Sequence, residues 1–231
     1  MVLKIVLTIA AVAILITLGV SVGTHRQGQS AAGGQGSNSL VELARRQKAL
    51  GEKKATVPEV RSDYAGYNME LEHALKNYSV FIAEPIQSKS FPLGLRSIHT
   101  LTKFRILETL SRNSYWYCST CSPLAEIPQE MGKPNQVEFF VATNGGVLNV
   151  EGVEVIEQNN SLFFEMENKY LMFVNLAPSQ VGVLAGGPSG VFRLDQNDNL
   201  HPLGRGNTQL PSEVRKRFGL KLSEFKSYIN R

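Results

Sequence analysis

SIHTLTKFRILETL, residues 97–110, decides the fold class of this chain. Ile98, Thr100, Thr102, Phe104 and Ile106 recur at every second position. That is the period of a strand, and β-branched and aromatic residues suit a pleated surface. The alternate positions are His99, Leu101, Lys103, Arg105 and Leu107. That face mixes charge with leucine and reads as at least half exposed.

Working outward, YSVFIAEP (78–85) and QVEFFVAT (136–143) are further strands. Asn144-Gly145-Gly146 reads as a hairpin turn, because Asn and Gly accept positive φ. VLNVEGVEVIE (147–157) is then the return strand, with Gly152 marking a bulge. KYLMFVNLA (169–177), VGVLAGG (181–187) and GVFRLD (190–195) follow a short FFE segment, and Asn197-Asp198-Asn199 turns the chain into LHPLG. Two short helices close the chain at 211–218 and 222–230, punctuated by Gly219, with Val214, Phe218, Phe225 and Ile229 on their buried side. Asn68 caps another short helix whose Met69, Leu71, Ala74 and Leu75 face a core. Strands joined by turns exclude a doubly wound parallel sheet, which needs a helix between strands. The expected fold is mainly β: a small antiparallel barrel or sandwich with a few short helices. A closed barrel is preferred because it leaves no open edge.

Ahead of this lies IVLTIAAVAILITLGVSV, residues 5–22, without charge or proline. The uncharged run continues to Thr24, about 30 Å as a helix, which matches the hydrocarbon thickness of a bilayer. It reads as an uncleaved transmembrane anchor. A cleaved signal peptide is the alternative, with small residues suiting cleavage after Gly23 or Ala32. Lys4 and the terminal amine slightly outweigh Arg26, which places the N-terminus in the cytoplasm and the bulk of the chain outside. THRQGQSAAGGQGSN (24–38) is a Gly/Ser/Gln linker spanning about 20 Å as a coil. SLVE at 39–42 is a capping box opening a helix over 39–50, with Gly51 at its C-terminal cap. Leu40, Leu43, Ala44, Gln47 and Leu50 form one side of it, which packs on the domain or meets a membrane surface or second copy. The division is thus an anchor or signal segment (1–23), a linker carrying that helix (24–66), and a β domain with basic C-terminal helices (67–231).

The net charge of +4 is uneven. Leu203–Arg231 holds seven basic and two acidic residues, leaving 17 basic and 18 acidic before it. A basic tail on a near-neutral body lacks the wide basic surface with interleaved aromatics that nucleic acid binding requires. It is a solvated helix face or a contact for anionic lipid.

MELEHALKNYSVFIAEP, IHTLTKFRILETLS, NGG, NKYLMFV and GPSGVFRL, all between Asn68 and the end, carry a resemblance. They resemble a group of uncharacterised bacterial extracytoplasmic proteins. The resemblance implies a β-barrel-like fold and an envelope location. That group has no assigned activity, so no catalytic residue carries over.

Cys118 and Cys121, in CSTC, are the only cysteines. The pair admits a local disulfide, a metal site, a redox site or inert free thiols. Pro123 follows without βαβ context, which disfavours thioredoxin-type chemistry. Zinc needs four ligands, and the four histidines (His25, His73, His99, His201) show no paired spacing. Tyr115, Trp116 and Tyr117 beside them form a recognition surface or cap one end of the barrel. His99 lacks a positioned acid or nucleophile. Gly186-Gly187-Pro188-Ser189-Gly190 lacks the Gly-Lys-Ser/Thr ending of a phosphate loop and reads as a turn. Asn77-Tyr78-Ser79 and Asn159-Asn160-Ser161 are glycosylation sequons. No catalytic constellation is legible and no cofactor is implied. The sequence leads to a membrane-anchored, extracytoplasmic module that binds or scaffolds an envelope protein. A thiol or metal protein using Cys118 and Cys121, or a secreted protein with a cleaved signal, are the alternatives.

Overall fold

The long strand at 97–111 has an equally long antiparallel partner. A computed structural model describes residues 39–57, 69–114, 127–157, 162–204 and 208–230. In it β2 (Ser79–Leu93) and β3 (Ser97–Ser111) form a 15-residue ribbon. β2 was expected to stop near Pro85. It continues because Pro85 and Pro92 are accommodated, with a register shift between Pro85 and Gln87. Proline enters a sheet at such irregularities.

The ribbon is the centre of a seven-stranded sheet. Its order is β10 (Leu200–Pro202), β9 (Val191–Leu194), β7 (Lys169–Leu176), β2, β3, β4 (Glu138–Asn144), β8 (Val181–Leu184). β8 also pairs with the second half of β7, so the pairings β7–β2–β3–β4–β8–β7 form a ring. Most pairings are antiparallel, as expected. β4–β8 is parallel, Phe140 opposite Val181 and Val141 opposite Gly182. A parallel pair needs a long crossover, and residues 145–180 supply it. Gly182 sits at this seam because a Cβ there would collide with the Val174 side chain.

Alternation sorts the side chains. Phe81, Ala83, Phe104, Phe139, Val141, Tyr170, Met172 and Val174 form one buried cluster on the inner face. Phe104 stacks on Phe139 at 5.4 Å and meets the edge of Phe164 at 4.7 Å, geometries that aromatic quadrupoles favour. Val80, Ile82, Leu171, Phe173 and Phe192 point the other way, onto α2 (Leu71–Asn77), α3 (Gln209–Phe218) and α4 (Leu222–Ile229). Val214, Phe218 and Phe225 are buried there, as their spacing predicts, and Ile229 packs partly buried against them.

The second face of β3 is divided: Arg105 and Leu107 are exposed and His99 is half-buried, as expected, but Leu101 and Lys103 are covered. Leu101 is fully buried with Met131, Phe140 and Val181, because the segment around the short 3-10 turn Gln129–Met131 covers it. Lys103 is buried too. Its ammonium lies 3.8 Å from the Glu138 carboxylate and 5.2 Å from the Phe140 ring centre.

Asn144-Gly145-Gly146 is not a hairpin turn. β4 and β5 (Gly146–Val150) are not partners. Instead, the chain leaves the large sheet and enters a second sheet ordered β1 (Lys54–Thr56), β6 (Val153–Glu157), β5. The expected single return strand at 147–157 is itself a hairpin, β5–β6, turning at Glu151-Gly152 with φ of 51° and 85°. Paired positive φ values make the tight turn that a bulge reading missed. α1 (Leu40–Ala49) covers this small sheet. Leu40, Ala44, Ala55, Val57, Val153 and Val155 bury together with Ile98 of the ribbon. The helix at 39–50, expected within a linker, is therefore part of the compact unit Ser37–Arg231, and a boundary at 67 falls inside that unit. Ser39 caps it as its sequence predicts, accepting from the Glu42 N–H at 3.2 Å.

Asn68 lies outside the described residues. Helix α2 begins at Leu71, and its N-terminal position Glu70 gives no side-chain cap. The acceptor comes from α3: the Glu213 carboxylate takes the Leu71 N–H at 3.0 Å. Residues 5–22 also lie outside the described residues, among which no helix is long and apolar enough to cross a membrane.

Gly146 tests the sheet exchange. Its φ is 146°, and an added Cβ would collide with Ser90 Oγ and Thr100 Oγ1. Gly51 has φ 79° with nothing within 4 Å. Gly146→Ala should lower the free energy of unfolding by about 2–4 kcal/mol through overpacking and strain. Gly51→Ala should cost about 1–2 kcal/mol, the backbone term alone. Urea denaturation of both variants measures the difference, and equal losses would contradict the close approach.

Candidate functional site

The end of the ribbon nearest the small sheet carries a set of hydrogen-bonded polar side chains, Thr100 and Thr102 among them buried. β2 and β3 place Ser88 opposite Thr102 and Ser90 opposite Thr100. Their hydroxyls meet at 3.0 Å and 2.9 Å. Thr100 Oγ1 also donates to the Gly145 carbonyl at 2.8 Å. Its single proton is then committed, so Ser90 donates to Thr100 and in turn accepts from the Val147 N–H at 3.3 Å. A relay thus runs from Val147 through Ser90 and Thr100 to Gly145. It satisfies backbone groups at the point where the chain exchanges sheets, as buried polar groups require.

Glu157, at the end of β6, closes the joint from the other side. Its carboxylate is 2% exposed and accepts the Ile98 N–H. His99 stands next to that amide. Burial pushes its imidazole pKa down, and the Glu157 charge opposes the shift. Its Nδ1 is buried without a partner among the described residues. Desolvation therefore favours neutral imidazole here. The Glu157 carboxylate acts on the His99 imidazole, and the Ser90 and Thr100 hydroxyls, on the other face of β3, already spend their protons on structural bonds. The arrangement holds two sheets together.

Above this joint is an apolar surface. The β2–β3 turn carries Leu93, Gly94, Leu95 and Arg96, and Leu95 is 76% exposed. The Leu95 carbonyl accepts the Leu40 N–H at 2.8 Å, so the first residue of α1 is tied to the ribbon tip. Val41 and Leu93 are also exposed.

The other residues singled out by sequence are dispersed. Cys118, Cys121, Tyr115, Trp116 and Tyr117 all lie outside the described residues. The strand end that leads to them is clamped. Asn113 donates its amide to the carbonyls of Leu75 and Tyr78 at 2.8 and 2.7 Å, and its N–H to Ser79 Oγ at 3.0 Å. His201 bonds Asp195 at 3.0 Å in the β9–β10 turn. That imidazole, with the Asn199 side chain and backbone N–H groups, holds the Asp195 carboxyl well below the usual carboxylate range. His73 is on the surface of α2, and no metal-binding cluster occurs among the described residues. Gly187–Gly190 is a 3-10 turn, and Gly190 packs against the Ala185 carbonyl, leaving no cradle for phosphate. The Asn77 sequon is built into the fold, since Ser79 is buried and bonded to Asn113.

Glu157, Ser90 and Asn113 were invisible to sequence reasoning. Their partners lie 59, 10 and 34 to 38 residues away, and no local pattern marks such pairs.

The lowered His99 pKa carries a pH dependence. Below about 6.5 the unfolded imidazole binds a proton that the folded one resists, so stability falls as pH drops. Above that value both forms are neutral and the contribution is flat. His99→Gln should flatten the fall between about pH 6.5 and 5, read as the urea midpoint against pH. An unchanged slope would show that His99 is not held neutral. The chain matches no family model, no curated protein and no solved structure.

Proposed function

We propose that this protein is a single-pass, membrane-anchored module whose β domain, a small barrel, stands outside the cytoplasm and binds or scaffolds another envelope component. The observation that carries the reading is the uncharged run at 5–22, joined through a Gly/Ser/Gln stretch to a compact β unit. An uncharged run of this length matches the hydrocarbon thickness of a bilayer when helical. The ring of pairings from β7 through β2, β3, β4 and β8 supports a barrel. Lys4 and the terminal amine against Arg26 support the orientation. The resemblance to bacterial extracytoplasmic proteins points the same way.

The thiol or metal reading rests on the spacing of Cys118 and Cys121. Neither a disulfide nor a metal is needed for the core described above, so the two readings separate cleanly. With both cysteines changed to serine, the anchored module should keep its partner. Loss of partner capture together with loss of bound zinc would favour the alternative.

Carbonate extraction and mass measurement of the mature chain test the proposal. The chain should stay in the membrane pellet and begin at its first residues. A soluble chain beginning near Thr24 or Gly33 would contradict the anchor and establish a cleaved signal. Chemical crosslinking in native membranes should yield a specific adduct, and its absence would count against scaffolding.

A further inference from the structure

Asn144-Gly145 stands where β4 hands the chain to β5, and the dipeptide carries a chemistry of its own. Glycine has no side chain, so its backbone nitrogen can approach the side-chain carbonyl carbon of a preceding asparagine with little hindrance. That attack begins asparagine deamidation. Asn144 is the only asparagine in the chain that is followed by glycine.

The fold opposes the attack. The nucleophile is the Gly145 nitrogen, whose N–H donates to the Ile98 carbonyl at 2.7 Å. The Gly145 carbonyl accepts from Thr100 Oγ1 at 2.8 Å, and Ser90 donates in turn to Thr100. The Ile98 N–H is held by the Glu157 carboxylate. Asn144 is itself the last residue of β4, opposite His99. To react, the nitrogen must shed its proton and swing toward the Asn144 side chain. Bonds at both the N–H and the carbonyl of buried Gly145 resist that movement.

The fold also opposes the products. Isoaspartate adds a methylene to the main chain between β4 and β5. Gly146, one residue on, has no slack to absorb it, because even a Cβ there would meet Ser90 Oγ and Thr100 Oγ1. Aspartate adds a charge opposite His99, whose imidazole already feels the buried Glu157 carboxylate. A second carboxylate in a desolvated place is disfavoured by burial and by like charge.

We propose that Asn144-Gly145 is a self-modifying site gated by the sheet joint: it deamidates only when the joint opens, and its products keep the joint from re-forming. The step needs water alone. The Gly145 nitrogen gives its proton to solvent base and bonds to Asn144 Cγ. The bond from Cγ to the side-chain nitrogen breaks, and that nitrogen takes a proton from water and leaves as ammonia. Water then adds to either carbonyl of the succinimide ring, which opens to aspartate or isoaspartate. Nothing is oxidised or reduced. The inference does not depend on the anchored reading of residues 5–22, since every group in it lies within Ser37–Arg231.

The test ages the full chain in detergent micelles at mildly alkaline pH. Mass spectrometry reads the Asn144 peptide, and isoaspartyl methyltransferase labelling counts isoaspartate. Conversion in buffer should be at least about tenfold slower than in guanidinium chloride, because only the open fraction reacts. Thr100→Val and Ser90→Ala, each checked for folding by circular dichroism, should speed it about fivefold or more by weakening the joint. Equal rates with and without denaturant would overturn the gating, as would folded variants that convert at the parent rate. Anion exchange separates aged protein carrying the new charge, and its Ile98 amide should exchange hydrogen faster than in fresh protein. An Ile98 amide as protected as before would overturn the claim that the products hold the joint open. The denaturant and exchange measurements need no substitution, so they decide the matter if neither variant folds.

Discussion

The pairing of β2 with β3 is the constraint on which the rest of the structure depends. Both strands run 15 residues, and a two-sided sheet cannot bury that length with one core. The first half of β2 is sandwiched between the aromatic interior and the helical layer. The distal half projects beyond that core, where it exposes Ser88, Lys89 and Pro92. It needs a second support, and the small sheet with α1 provides one. The join is made by polar atoms as well as packing: Glu157 on the Ile98 amide, and the Ser90–Thr100 relay to the Gly145 carbonyl. Removing one member of such a buried set leaves its partner unsatisfied, which costs about 1–3 kcal/mol.

Apolar burial outweighs surface charge in holding this arrangement. Arg45–Glu151, Arg46–Glu42 and Lys54–Glu154 are exposed pairs. Solvent and salt screen such pairs, so each contributes little in water. Burying one side chain such as Phe104 contributes about 2–3 kcal/mol. The Lys103–Glu138 pair is different, because its atoms are mostly withdrawn from water. Its attraction is offset by desolvation, so the pair is weak evidence for added stability.

The parts legible from sequence were those with a local cause. Alternation in 97–110 gave a strand, Ser39 and Glu42 gave the start of a helix, and Val214, Phe218 and Phe225 gave the buried side of the closing helices. The parts missed had distant causes. Asn144-Gly145-Gly146 has turn chemistry, but its glycines are required by the closeness of Ser90 and Thr100, which no local reading contains. Leu101 and Lys103 looked half exposed because the residues that cover them, such as Met131, come after an intervening stretch of chain. Parallel pairing of β4 with β8 depends on register, and two matched positions leave no periodic trace. The buried polar joint was invisible for the same reason, whereas the cysteine pair was conspicuous and lies outside the described residues.

The ribbon reaches from the aromatic core to the cluster under the small sheet. One end carries the exposed Leu93 and Leu95 and is tied to the first residue of α1. The other leads to the aromatic and cysteine-bearing stretch. The polar joint between the sheets requires that the two move as one. Native-state hydrogen exchange tests that condition most directly. The account predicts that the amides of Ile98 and Gly145 exchange only with global unfolding, in the same slowest class as Phe104 and Phe81. Exchange of Ile98 and Gly145 through a separate, lower-energy opening would contradict it.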